Sequence, residues 1–149
     1  MDSYEQYEKD CQRIRNQNEV FLKDFENHLK EKKLSIKTIK KHCANIDFYI
    51  NDFLLYEEAI KTSEGATEIR RFLGYWFIRK AMWASPAAIK ENASSLKSFY
   101  QFLHERREIT KETLDTLKQT IKEEMPEWIE TMKRYDDPDI EDMEEVWRF

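Results

Sequence analysis

An all-α fold is predicted by the scarcity of turn residues and the spacing of apolar ones. Only two glycines and three prolines occur in 149 residues, where average usage would give roughly ten and seven or eight. Both residues punctuate turns, so the chain has few turns and long elements, and long elements in one small domain are helices. The apolar residues recur at intervals of three, four and seven, the repeat of a helix face. They make up 40% of the chain, and aromatic residues 13%, enough for a real core in one domain of ordinary size.

Each element follows from its own pattern. Tyr4, Tyr7, Cys11, Ile14, Phe21, Phe25 and Leu29 fall on one helical face, with Asn18 in an apolar slot. One long helix and two helices broken near Asn16–Asn18 both fit. After the basic stretch Lys30 to Lys33, Ser35 is placed to cap a second helix, because its hydroxyl can accept from the free amides of the first turn. That helix has the cleanest periodicity of the chain: Ile36, Ile39, Cys43, Ile46, Ile50 and Phe53. Opposite them lie Lys37 and Lys41, with Lys40 on the flank. Phe48 also falls on the lysine face, where it is either exposed or marks a contact.

Residues 61–66 form the main predicted loop. A third helix is expected from Thr67 to Trp83, apolar nearly all round and therefore central in a bundle. Ser85-Pro86 reads as a cap followed by proline at the first helical position. The helix it starts buries Ile89, Ala93, Leu96, Phe99, Tyr100 and Leu103, and presents Lys90, Ser94, Lys97 and Gln101 on the other side. Thr110 caps a further helix with Leu114, Leu117 and Ile121 on its face. Pro126 interrupts it or starts a new one, and Trp128, Ile129 and Met132 continue the stripe. Asp136-Asp137-Pro138 is a turn. The acidic tail ends in Val146, Trp147 and Phe149.

Charge is unevenly spread over these elements. Residues 1–109 hold 19 basic and 17 acidic side chains, net +2, whereas residues 110–149 hold 6 and 13, net −7. No apolar run reaches the ~18 residues a membrane span needs. The acidic N-terminus lacks a secretory pattern. Cys11 and Cys43 sit in apolar slots and read as free thiols. A cytoplasmic protein is expected.

Catalytic patterns are absent from the sequence. His28, His42 and His104 lie on three separate predicted helices, in no metal-ligand spacing. Two separated glycines cannot build a phosphate loop. No Glu-x-x-His pair suits a di-metal bundle. The expectation is a non-enzyme without cofactor or metal, acting by binding.

What remains are two polar stripes near the beginnings of capped helices. The first is Ser35, Lys37, Thr38, Lys40, Lys41 and Asn45; the second is Lys90, Ser94, Lys97 and Gln101. One reading is a pair of solvated helix faces. The other is two helices entering a DNA groove, with lysines on phosphates and Ser, Thr, Asn or Gln near base edges.

At these residues the sequence resembles a known family. The stretch from Leu22 to Leu54, with Leu34, Ser35, Thr38 and Ile39 at its centre, is similar to the opening of the SAM-like core-binding domain of tyrosine recombinases, the phage integrases. Ser95, Leu96, Phe99, Tyr100, Phe102 and Leu103 match that family's fourth helix, with Lys97 where arginine is usual. The resemblance covers about residues 18–108.

The resemblance implies a four-helix clamp on double-stranded DNA, whose second and fourth helices face the major groove. It points to Lys37, Thr38, Lys40, Lys41 and Asn45, then to Lys90, Ser94 and Lys97. Gln101 is added from the stripe. The family's catalytic domain has no room in the roughly forty residues that follow, so no catalytic residue carries over.

The chain, beginning at Met, is read as complete. The expected architecture is a SAM-like four-helix core with an N-terminal helical extension (residues 1–17), together residues 1–109. An acidic helical segment, residues 110–149, packs on it. The expected role is a freestanding accessory, regulator or remnant in DNA recombination and integration. Its partners would be duplex DNA and a recombinase or a second copy of itself. A different reading is a helical protein-interaction module that has lost DNA binding. The tail could also mimic DNA by folding onto the lysine face.

Overall fold

A computed structural model describes residues 2–148, and these form an all-helical structure without strands. Six helices carry the fold. They are α1 (Ser3–Glu31), α2 (Ile36–Asp47), α3 (residues 69–80), α4 (Pro86–Glu105), α5 (Lys111–Asp136) and α6 (Met143–Trp147). No helix is long and apolar enough to cross a membrane.

α1 is one unbroken helix of 29 residues, so the boundary expected at residue 17 falls inside it. Asn18, fully buried, explains the continuity. Its Nδ2 donates to Asn51 Oδ1 at 2.8 Å, and its Oδ1 accepts from the buried Thr62 hydroxyl at 2.5 Å. A polar side chain in an apolar slot is thus satisfied by a cross-chain bridge rather than by a break. The first turns pack Cys11 and Ile14 on Leu55 in a small satellite core. Both cysteines are free.

With few glycines available, α1 and α4 end on other residues. Lys33 and Arg107 take the left-handed conformation, at φ 62° and 63°. Leu34 N–H then donates to Leu29 O, and Glu108 N–H to Leu103 O, closing each helix with a paired C-terminal turn. A side chain at positive φ costs about 1 kcal/mol relative to glycine, and the two hydrogen bonds of each turn offset it. Leu34 and Ile36 remain exposed. The apolar stripe expected from Ile36 onward therefore starts at Ile39.

α2 runs directly into a wider turn at Phe48–Phe53, and α3 contains a matching one at Phe72–Trp76. Both are π-helical, an arrangement that usually marks a local packing demand. Here the demand is aromatic. Tyr49 and Phe53 meet Phe72 at ring distances of 4.8 and 4.9 Å, and Phe53 meets Trp76 at 5.2 Å. α3 is shorter than expected, and Trp83 lies beyond it in a turn.

α4 is the central strut, packed between α2 and α5 with α1 across it. Phe25 of α1 meets Phe99 at 5.2 Å. α5 passes through Pro126 without ending. Leu114, Leu117, Ile121, Trp128 and Met132 on α5 belong to the same hydrophobic core as α2, α3 and α4. This burial on both sides of the proline outweighs its missing hydrogen bond. The segment from Leu114 to Met132 thus shares the core of α2, α3 and α4. At the tail, Arg134 Nε donates to Val146 O at 2.9 Å, and Trp147 packs on Tyr75 and Tyr135. Phe149 lies outside the described residues.

Candidate nucleic-acid interface

The two polar stripes lie on helices that pack against each other, and the contacts between them set the geometry. Lys41 Nζ of α2 sits 3.2 Å from Glu91 Oε1 of α4. Further along α2, the Phe48 ring lies 5.1 Å from Trp83, in the turn that precedes α4. Moving forward along α2 thus means moving backward along the chain around α4, so the two segments run side by side in opposite directions. The expected choice for Phe48, exposed or in contact, resolves to contact: it also touches Phe72, Trp76 and Phe77.

A polar seam joins the helices. Asn45 Nδ2 donates to Glu91 Oε2 at 3.1 Å and to Ser95 Oγ at 3.0 Å. His42 Nδ1 lies 2.7 Å from the same Ser95 hydroxyl, which is fully buried. The Ser95 oxygen thus accepts from Asn45 and lies within hydrogen-bonding distance of the His42 ring nitrogen. Burial lowers the His42 pKa from its ordinary value, against a smaller raising effect of Glu91. Glu91 is held below the usual carboxylate range, first by the Asn45 hydrogen bond and then by Lys41. These groups fix the spacing of the helices. They could be mistaken for a nucleophile–base pair, but a buried serine hydroxyl gives a substrate no access.

The structure sorts the expected site residues into three groups. Lys37, Lys90, Ser94 and Lys97 are exposed on the outer surface, and Lys41 joins them through its pair with Glu91. Thr38 is half-buried and its hydroxyl accepts from Ser35 at 2.9 Å, completing the cap of α2. Three of the expected residues serve elsewhere. Asn45 is an inter-helix tie, because its amide is spent on Glu91 and Ser95. Lys40 points to the α1 side, where it lines a shallow cleft with Glu26, Lys30 and Leu34. Gln101 turns toward α5 and accepts from Lys118 Nζ at 2.9 Å. Glu91, His42 and Ser95 were not among the expected site residues; Glu91 and His42 directly follow Lys90 and Lys41 in the sequence, and Ser95 stands two residues before Lys97.

The tail does not cover this face as a DNA mimic. Val146 is buried and Trp147 is half-buried against α3 and α5, so apolar burial decides where the tail docks, and its carboxylates stay exposed. A groove of about 500 Å³ lies beside that docking site, with Trp128, Tyr75 and Trp147 among its walls and an Arg70–Glu124 pair at its edge. None of the expected site residues lines it. Among the described residues, no group of three or more His, Cys, Asp or Glu side chains is placed to hold a metal ion.

No protein family, curated protein or solved structure matches the chain.

Proposed function

We propose that this protein binds duplex DNA without cleaving it, through the surface shared by α2 and α4. In this reading α1 to α4 form a SAM-like clamp of the kind the sequence resembles, and the chain serves as an accessory or regulator in recombination or integration. The observation that carries the reading is the packing of α2 beside α4, two helices some fifty residues apart in sequence, with Lys41 paired to Glu91 and with Lys37, Lys41, Lys90 and Lys97 all exposed. Lysines on phosphates provide affinity, and Ser94 between them is short enough to approach a groove.

The charge is modest. With Lys41 held by Glu91, about three phosphate contacts give a slope near −2.7 in log affinity against log salt, a loss of about 40-fold between 50 and 200 mM. Anisotropy with a labelled duplex tests this. Wild type binds at ~50 mM salt and weakens along that slope, while Lys37→Glu/Lys41→Glu/Lys97→Glu, with unchanged helicity by circular dichroism, loses binding. Equal binding by both proteins would overturn the proposal.

One observation favours a second reading, a protein-interaction module that has lost DNA binding. Glu91 places a carboxylate between the stripes and engages Lys41 and Asn45. Under this reading wild type fails to bind duplex even at low salt.

A further inference from the structure

The turn between α3 and α4 presents the most exposed large apolar side chain among the described residues. Met82 is 98% exposed and Trp83 58%. The turn is held firmly. Ala81 is buried, Ala84 N–H donates to Ala81 O at 3.1 Å, and Ser85 accepts from Ala88 N–H at 3.0 Å to cap α4. One side of Trp83 rests on Phe48 and Phe77. Tyr56, itself half-exposed, extends the patch through Trp76 at 5.6 Å. Scattered single apolar residues on a surface need no explanation, but a fixed cluster with a projecting tip does.

Charge identifies the partner. From Ile69 to Lys90 the chain holds five basic residues and no acidic one; Arg70 and Arg71 are paired with Glu124 and Glu68, and Arg79 reaches the Tyr75 hydroxyl, so Lys80 and Lys90 are the cations of this stretch outside those contacts. Lys80 stands at the patch, its Nζ donating to the Tyr56 hydroxyl at 3.3 Å. The patch is also continuous with the lysine surface, because Phe48, on which Trp83 rests, lies on the same face of α2 as Lys37 and Lys41. An apolar tip with Lys80 beside it and Lys90 a few residues further on fits a polyanion with apolar surface between its charges. A base-pair step of duplex DNA has that character, with stacked base faces between two phosphate rows.

We infer that Met82 is a wedge: on binding, its side chain enters between two base pairs, with Trp83 supporting it, and bends the duplex. This rests on the DNA-binding reading above. Unstacking one step is offset by the closer approach of Lys80 and Lys90 to the phosphates of the bent duplex. The unbranched thioether suits insertion because it adapts to a narrow gap.

The test uses the full chain and a 30-base-pair duplex carrying a fluorophore at each end. Wild type raises energy transfer between the ends as it binds. Met82→Ser, a change at a fully exposed position, melts like wild type, binds about tenfold more weakly and gives no rise. Met82→Leu, which keeps the apolar tip, restores it. Wild-type binding without a rise, or a rise retained in Met82→Ser, overturns the wedge; the clamp reading stands in either case if Lys37→Glu/Lys41→Glu/Lys97→Glu still loses binding. If wild type ignores duplex but sediments with vesicles containing phosphatidylserine, and Met82→Ser does not, both readings fall and the patch is a lipid anchor.

Discussion

Glu91→Gln gives the sharpest test of the proposed interface. The carboxylate lies 3.2 Å from Lys41 Nζ and accepts from Asn45 at 3.1 Å. Glutamine keeps an acceptor for Asn45 and removes the charge. The Lys41–Glu91 pair is substantially exposed on both sides, so screening limits its contribution to folding to about 0–1 kcal/mol and the variant stays folded. On DNA the effect is larger, because Lys41 becomes free to neutralise one more phosphate. One added contact steepens the salt slope by about 0.9, which raises affinity about fivefold at 0.15 M salt and about fifteenfold at 0.05 M. Anisotropy at four or five salt concentrations reads both quantities. Unchanged slope and affinity would show that Lys41 does not face phosphate, and the α2–α4 surface would lose its central cation.

Other predictions concern the fold that holds this surface. Asn18→Leu leaves the buried Thr62 hydroxyl without the acceptor it now reaches at 2.5 Å, and is expected to destabilise by roughly 1–3 kcal/mol in urea unfolding; an unchanged midpoint would show that the bridge is dispensable. His42 makes folding pH-dependent. Its pKa is lowered by burial in the folded state, so the unfolded chain binds more protons below the ordinary histidine range, near ~6.5, and stability falls as pH drops through that value. Comparing urea midpoints at pH 7.5 and 5 should show a smaller drop in His42→Gln than in wild type; equal drops would assign the loss to carboxylates alone.

The helices and most of their caps were legible in the sequence because they depend on neighbours three or four residues away. Ser35, Ser85 and Thr110 cap where their side chains predict. Helix ends were harder. Lys33 and Arg107 close helices in a conformation that glycine usually takes, and nothing local marks them. Pro126 and Asn18 both look like breaks, and neither is one, because contacts from distant segments stabilise the helix through them. The candidate site divides in the same way. Helical periodicity separates the lysine stripes from the core. It does not tell an outward lysine from one beside another helix, so Lys40, Asn45 and Gln101 were placed with the others.

By itself the sequence determined an all-helical chain, the buried side of most helices and the existence of two basic stripes, since each follows from a repeat of 3.6 residues. Tertiary structure alone decided that the two helices pack side by side, with Glu91 against Lys41 and Asn45. Packing chooses which flank of a helix meets a neighbour, and that choice sums contacts over the whole core. It also placed the tail on α3 and α5, where Val146 and Trp147 leave water, rather than on the lysines its charge would favour. Apolar burial acts at contact and is not screened by salt, whereas attraction between exposed charges weakens within about 10 Å.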